Sequence, residues 1–179
     1  DLNTKLQIEK TFGILTNLGY ASCKNNNVIE ANFYYKTLYY ISNILYKKNS
    51  SIWVAEYTKS LNNFAFCLKL IEKTDEAMDF EKEALNISKK LYKENPSRWA
   101  EDYTMSLNNL SNSLNLVGKI DEAIDLGKEA LNIVRDLYND NSSKWVELYL
   151  KILHSFGRFL YSKEKIDKAM DFQREALTI

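Results

Sequence analysis

Tryptophan recurs along this chain at a fixed step of 46 residues, at positions 53, 99 and 145. The same step separates Asp75, Asp121 and Asp167, and the segments that begin there are DEAMDFEKEALNI, DEAIDLGKEALNI and DKAMDFQREALTI. A step that is kept over whole segments indicates an array of structural repeats, in which each unit packs on its neighbours. A fainter first copy begins near Leu2, so the chain holds nearly four repeats.

Composition favours a helical fold and excludes several partners. One proline and five glycines are too few for strands joined by tight turns. Acidic and basic residues balance at 24 each, so no overall field attracts nucleic acid or an anionic membrane, and we expect neither partner. The sequence lacks a long apolar run and a signal peptide, which favours a cytoplasmic location. Because it opens on Asp1 and stops at Ile179 inside a helical pattern, we expect a fragment of a longer protein.

Catalytic and metal-binding patterns are missing from the sequence. The only histidine is His154, so a catalytic triad would have to centre on it. Cys23 and Cys67 form no CxxC motif, and we expect two reduced, packed thiols. HExxH motifs, calcium-loop spacing and glycine-rich phosphate loops are absent. We therefore expect no enzyme, no cofactor and no metal site.

Each repeat resolves into two helices, A and B. In the third copy the apolar positions of helix A advance by three or four residues, at Trp99, Tyr103, Leu107, Leu110, Leu114 and Val117. Asn95 is a suitable N-cap and Pro96 fits the first helical position, a signal that Asn49 and Asn141 repeat in other copies. The stripe of helix B contains Ala123, Ile124, Leu126, Ala130, Leu131, Ile133, Val134 and Leu137. Two such helices form an antiparallel hairpin.

The turn between helices A and B should end helix A in a left-handed conformation. Gly118 adopts that conformation without strain, and Asn26 tolerates it. Glu72 and Glu164 occupy the same place in two other copies. For these two residues, either the left-handed conformation costs some stability or the turn differs.

These residues resemble the tetratricopeptide repeat. The resemblance rests on Leu107-Asn108-Asn109-Leu110, Gly118, Asp121-Glu122-Ala123 and Ala130-Leu131, with a small residue at Gly19, Ala65, Ser111 and Gly157. The repeat is 12 residues longer than the usual unit of about 34, and its proline is displaced to Pro96. In its longer repeat, the chain is similar to kinesin light chains and bacterial signalling arrays. By period alone a HEAT or armadillo array also fits, but the turn motif and the small residues favour the tetratricopeptide repeat.

The resemblance implies an all-α fold, an α-solenoid of antiparallel helix hairpins wound into a right-handed superhelix. We expect one domain over residues 1–179, with repeats of about 3–48, 49–94, 95–140 and 141–179. The A helices of such an array line a concave groove that binds proteins or peptides. Repeat positions assign to that wall the residues Tyr20, Asn62, Phe66, Lys69, Met105, Asn108, Asn112, Asn115, Lys151, His154, Arg158 and Tyr161.

Asparagine recurs beside this wall at Asn17, Asn63 and Asn109. A carboxamide both donates and accepts hydrogen bonds, so a row of them can hold the backbone of an extended peptide. Each amide can equally bond within its own hairpin or to the next repeat, and the sequence leaves both roles open. For Asn108 and its neighbours Asn112 and Asn115 we expect exposure to the groove.

Charge along the wall is uneven, because the fourth A helix combines Lys151, His154 and Arg158. Acidic groups of a ligand would be complemented there, although at any single position an ordinary solvated surface cation is the more common case. Neither possible register completes the carboxylate clamp of chaperone adaptors, so that role is disfavoured. The three tryptophans are assigned to packing between repeats.

We therefore predict a protein-interaction scaffold whose groove binds a peptide or protein segment. Two alternatives remain open. The chain could be the sensor or substrate-recruiting arm of a larger signalling or protease protein, or it could self-associate through exposed repeat ends.

Overall fold

The computed structural model describes residues 2–179, with side chains from residue 3 onward. The described residues form eight helices: α1 (Leu2–Lys24), α2 (Val28–Lys48), α3 (Ser50–Leu70), α4 (Thr74–Glu94), α5 (Pro96–Leu116), α6 (Ile120–Asp140), α7 (Ser142–Ser162) and α8 (Ile166–Thr178). The odd-numbered helices are the A helices of the repeats and the even-numbered ones are the B helices. Residues 2–179 contain no strand. The predicted all-α fold of helix hairpins is confirmed.

Three of the A helices begin with an asparagine cap. Asn49 Oδ1 accepts a hydrogen bond from the backbone amide of Ile52 at 3.3 Å, and Asn95 and Asn141 cap α5 and α7 in the same way. Pro96 occupies the start of α5, where the missing amide has no partner to lose. Each asparagine alone separates a B helix from the next A helix. The predicted caps are confirmed.

Within each hairpin, three residues connect helix A to helix B. Their middle residue has a positive φ in every copy: 56° at Asn26, 61° at Glu72, 79° at Gly118 and 59° at Glu164. A hydrogen bond of the type that closes a Schellman motif follows, such as Lys119 N to Leu114 O at 2.9 Å. Glutamate and glycine therefore form the same turn, and the alternative of a different turn does not apply.

The chain divides into two compact units, the first ending at Ala84 and the second beginning at Leu85. The core of the first unit contains Phe12, Leu38, Phe64 and Leu68. A small residue is needed at position 19, because a Cβ atom there would lie 2.7 Å from the ring of Tyr35. Helices α1 and α2 approach each other closely at this point.

The second unit has its own core, formed by buried residues of α5, α6 and α7. Leu107, Val134 and Leu153 are fully buried, and so are the small residues Ser111 and Ala130 that the tetratricopeptide pattern requires. Among the three tryptophans, Trp53 and Trp99 are buried and Trp145 is half-buried. The assignment of residues 1–179 to one repeat domain stays a prediction.

Candidate functional site

Each later A helix is fixed to its neighbouring B helices by one recurring tyrosine. In the first unit, the hydroxyl of Tyr57 on α3 donates a hydrogen bond to Glu83 Oε1 on α4 at 2.7 Å. On its other side, the ring of Tyr57 stacks on Tyr46 of α2, with 4.5 Å between ring centroids. One side chain therefore joins three helices and sets the orientation of α3.

The same junction occurs in the second unit. Tyr103 donates to Glu129 Oε1 at 2.5 Å and stacks on Tyr92 at 5.0 Å. Tyr149 donates to Glu175 and packs on Tyr138 at 4.7 Å, and Arg135 binds both partners of that hydrogen bond. Burial, and then the hydrogen bond to Glu129, hold the pKa of Tyr103 far above its usual value. At neutral pH the hydroxyl is therefore a donor.

In the first unit, α1 and α3 line an open cavity of about 270 Å³ together with one residue of α2. We call it the first-unit cavity, and its lining consists of Glu9, Phe12, Gly13, Thr16, Asn17, Leu38, Glu56, Lys59, Ser60 and Asn63. Two asparagines of the predicted row, Asn17 and Asn63, are thus brought to one site. Sequence reasoning did not assign Glu9 or Glu56 to it, because neither residue recurs at the repeat period in all copies.

Within the described residues, the side-chain amides of Asn17 and Asn63 take no part in the hydrogen bonding of the fold. Asn17 is exposed and Asn63 is half-buried. Within residues 3–179, no hydrogen bond engages either side-chain amide. Each carboxamide keeps two donors and one acceptor for a ligand. Neither amide therefore makes the hydrogen bond that a structural role would use, and the peptide-binding role of these two residues stays a prediction.

The other first-unit residues that the sequence assigns to the groove differ in whether they are free to contact a ligand. Tyr20 and Phe66 are exposed, and the ammonium of Lys24 lies 5.0 Å from the ring centroid of Tyr20. Asn62 is half-buried. The ammonium of Lys69 lies 2.7 Å from Glu81 Oε1 on α4, and Glu81 is only 1% exposed. This buried ion pair gives Lys69 a structural function, because it neutralises a carboxylate inside the hairpin.

In the second unit, the expectation that Asn108 is exposed is wrong. Asn108 is 2% exposed, because its position on α5 faces the packed interior rather than solvent. Asn112 donates to the Asn108 carbonyl at 2.7 Å and reaches Ser155 Oγ on α7 at 3.5 Å, so its amide links two A helices. Asn109 is half-buried and has an interaction within the fold. Asn115 differs, because its Oδ1 is buried and has no hydrogen-bond partner within residues 3–179.

Asn115 lines a second cavity, of about 480 Å³, between α5, α7 and α8. We call it the second-unit cavity, and its other lining residues are Gly157, Arg158, Tyr161, Ser162, Ile166, Ala169, Met170 and Gln173. Three predicted wall residues therefore meet here: Asn115, Arg158 and Tyr161. Farther along α7, Lys151 Nζ lies 3.6 Å from Met105 Sδ, and His154 is exposed.

The two cysteines are free thiols on different A helices, as predicted. Burial raises the pKa of Cys23, and burial followed by the influence of Cys23 raises that of Cys67 to about 11. Both thiols are therefore protonated and weakly nucleophilic near neutral pH. Within the described residues, no group of three or more His, Cys, Asp or Glu side chains could hold a metal ion. No helix in the same part of the chain is long and apolar enough to cross a membrane.

The helix pairs, the 46-residue register and the recurring tyrosine junction define an all-α helical-repeat protein. The tetratricopeptide repeat family model matches residues 104–143, which cover most of the third hairpin. Together with the internal repeat, this match confirms the predicted resemblance. The third hairpin is thus similar to a tetratricopeptide repeat, and the other hairpins follow the same 46-residue step.

Solved structures with this fold have little sequence identity to the chain. BtubC from P. vanneervenii aligns with a TM-score of 0.71 at 17% identity, over 93% of this chain and 62% of that one. The Rap conjugation gene regulator of plasmid pLS20, solved with the Phr* peptide, gives 0.70 at 18%, over 94% and 42%. A Podosopora anserina protein described as a kinesin light chain, with nearly identical TPR-like repeats, gives 0.59 at 16%, over 94% of each.

The chain thus spans less than two thirds of the first two of these structures. No curated protein matches the sequence. Because the identities are low, these likenesses establish the fold alone.

Proposed function

We propose that this chain is a non-enzymatic interaction scaffold whose first-unit cavity binds an extended peptide. The observation that carries the proposal is the pair of unengaged carboxamides of Asn17 and Asn63, which line one cavity from two A helices. An extended peptide presents backbone donors and acceptors that need partners away from water. Two carboxamides supply both kinds of partner without selecting a side chain.

The rest of the cavity suits the same ligand. Phe12 and Leu38 are buried and provide an apolar floor, while Thr16 and Ser60 add hydroxyls beside it. Recognition sites for small ligands commonly combine an apolar surface with a few placed polar groups. A neighbour of the same fold was solved in complex with the Phr* peptide, which supports a peptide as the ligand class.

The second unit offers a separate site of the same kind. Asn115 contributes a buried acceptor without a partner, and Arg158 and Tyr161 are exposed beside it. Lys151 and His154 lie on the same helix α7. We propose that this surface prefers segments with acidic groups, since charge-assisted hydrogen bonds to Arg158 would hold them.

Self-association is a second candidate, supported by one comparison inside the second unit. Leu177 on α8 is 87% exposed, whereas Leu131, which holds the same position one repeat earlier, is buried. Such a face is one on which another repeat could stack. Light scattering over a range of concentrations tests this candidate: growing mass supports it, and a constant monomer mass excludes it. A cytoplasmic location, or a place as the recruiting arm of a larger protein, is likewise a proposal.

The peptide site can be tested with peptides selected from a displayed library of random 12-residue sequences. We expect Asn17→Ala and Asn63→Ala each to weaken a selected peptide about three- to tenfold, the equivalent of one hydrogen bond. Asn86→Ala is the matched control, because Asn86 is exposed on the B helix α4. Thermal melting checks that every variant is folded. Equal affinity in all four proteins would refute the site.

A further inference from the structure

We propose that the first-unit cavity contains a subsite for a primary ammonium group, with the Glu56 carboxylate as its acceptor. The ligand is then a peptide that carries a lysine side chain or a free α-amino group at this point. The inference rests on the proposed peptide-binding function and specifies its chemistry.

The leading observation is a buried carboxylate oxygen that accepts no hydrogen bond. Glu56 lines the first-unit cavity, and its Oε2 is buried without a hydrogen-bond partner within residues 3–179. An acceptor removed from water in this way lowers stability unless a donor is supplied. The last torsion of a glutamate side chain is broad, so the carboxylate can turn this oxygen toward a donor placed in the cavity.

The charges around the cavity favour a cationic donor. Two carboxylates, Glu9 and Glu56, and one ammonium, Lys59, line it. Glu9 lies 3.4 Å from Lys5 in an exposed pair, a contact that contributes little at the surface. Lys59 is exposed, so water can solvate its ammonium group without a ligand. The buried Glu56 oxygen is an acceptor without a partner, and a positively charged donor satisfies it better than a neutral one.

The lining of the cavity favours an ammonium group on an alkyl chain. The apolar floor of Phe12 and Leu38 can pack against methylene groups, while Glu56 receives the charged end. Lysine combines these two properties, since its stem packs on apolar surfaces and its head seeks charge or water. The guanidinium of arginine is planar and larger than an ammonium, so the ammonium is the smaller group to bring to the single buried oxygen of Glu56.

The first experiment uses n-butylammonium, which mimics the end of a lysine side chain, with 1-butanol as the uncharged control. In ¹H–¹⁵N spectra we expect n-butylammonium to shift the side-chain amide signals of Asn17 and Asn63 in a saturable way. We expect 1-butanol to shift them at least fivefold less at equal concentration. Equal shifts from both compounds, or none from either, would overturn the subsite, and this comparison needs no variant.

A charge-removing variant locates the acceptor. Glu56→Gln should abolish the difference between the two compounds. Glu101→Gln removes the same charge from an exposed position on α5 of the second unit and should preserve the difference. An undiminished difference in Glu56→Gln would overturn the assignment to Glu56.

Peptides distinguish the two sources of the ammonium and separate this inference from the proposed function. Selected peptides are compared with versions in which lysine is replaced by norleucine or the N-terminus is acetylated. We expect one of these changes to weaken binding about tenfold in the wild type and not in Glu56→Gln. Peptides that depend on Asn17 and Asn63 but ignore both changes would overturn the ammonium subsite and leave peptide binding intact. Failure to select any peptide would count against peptide binding, and the n-butylammonium result would still decide the subsite.

Discussion

Replacing Tyr103 with phenylalanine removes one hydroxyl from the junction between α5 and α6. Tyr103 is 1% exposed, and its hydroxyl donates to Glu129 Oε1 at 2.5 Å. Its ring stacks on Tyr92, and phenylalanine preserves that stack because it retains the ring. The substitution therefore isolates the hydrogen bond from the packing.

The loss of stability expected for Tyr103→Phe follows from the charge and the exposure of the acceptor, Glu129. A hydrogen bond to a charged group contributes about 1.5–3 kcal/mol. Glu129 is an exposed residue, so its carboxylate can turn to water once the hydroxyl is gone. We therefore expect the low end of the range, a loss of about 1.5 kcal/mol in the free energy of unfolding.

The pH dependence has a definite sign. Burial, and then Glu129, raise the folded-state pKa of Tyr103 above its unfolded value. The contribution of the protonated hydroxyl is fully present below the unfolded pKa of about 10 and is lost as the pH rises above it. Tyr103→Phe should accordingly cost the same at all pH values from about 6 to 9 and should lose less stability than the wild type above that range.

Urea unfolding followed by helical circular dichroism measures both effects. Tyr161→Phe is the control, because Tyr161 is 67% exposed, and it should change stability by less than about 0.3 kcal/mol. A double-mutant cycle of Tyr103→Phe with Glu129→Gln should give a coupling of about 1 kcal/mol. Zero coupling, or a Tyr103→Phe protein as stable as the wild type, would refute the role assigned to this junction.

Three further substitutions or treatments have defined outcomes. Glu72→Gly should stabilise the chain by about 0.5–1 kcal/mol in urea unfolding, because glycine adopts the φ of 61° without strain; an unchanged midpoint would contradict this. Lys69→Met should cost about 3 kcal/mol by removing the ammonium that neutralises the buried Glu81 carboxylate, and adding Glu81→Leu should restore most of it; no recovery would argue against the ion pair. In the folded protein at pH about 8, iodoacetamide should modify Cys23 faster than Cys67, as mass spectrometry of the digested chain would show; the reverse order would disprove the buried thiol.

The helix pattern was predictable because it repeats at a constant register. The caps at Asn49, Asn95 and Asn141 and the left-handed turn at Gly118 depend only on local backbone chemistry. The tyrosine junction could also have been found, since Tyr46, Tyr92 and Tyr138, as well as Glu83, Glu129 and Glu175, follow the same 46-residue step. A second periodic search restricted to polar and aromatic residues would have revealed it.

The site was less predictable, because it depends on which polar residues the fold itself uses. Asn108 and Asn109 are adjacent on α5, and their side chains point in directions about 100° apart around the helix. The orientation of α5 therefore decides which of the two is buried. Lys69 was assigned to the wall, but its ammonium turns to Glu81 on another helix. Glu56 has no equivalent glutamate in the other copies, so no period could point to it. Such departures from the repeat become meaningful only when the contacts are known.

The most direct test of peptide binding is the position of the bound peptide on the first unit. We expect a selected peptide to give intermolecular NOEs to the side-chain amide protons of Asn17 and Asn63 in the isotope-labelled chain. NOEs confined to the B helices α2 and α4, with no contact to these two amides, would contradict the account.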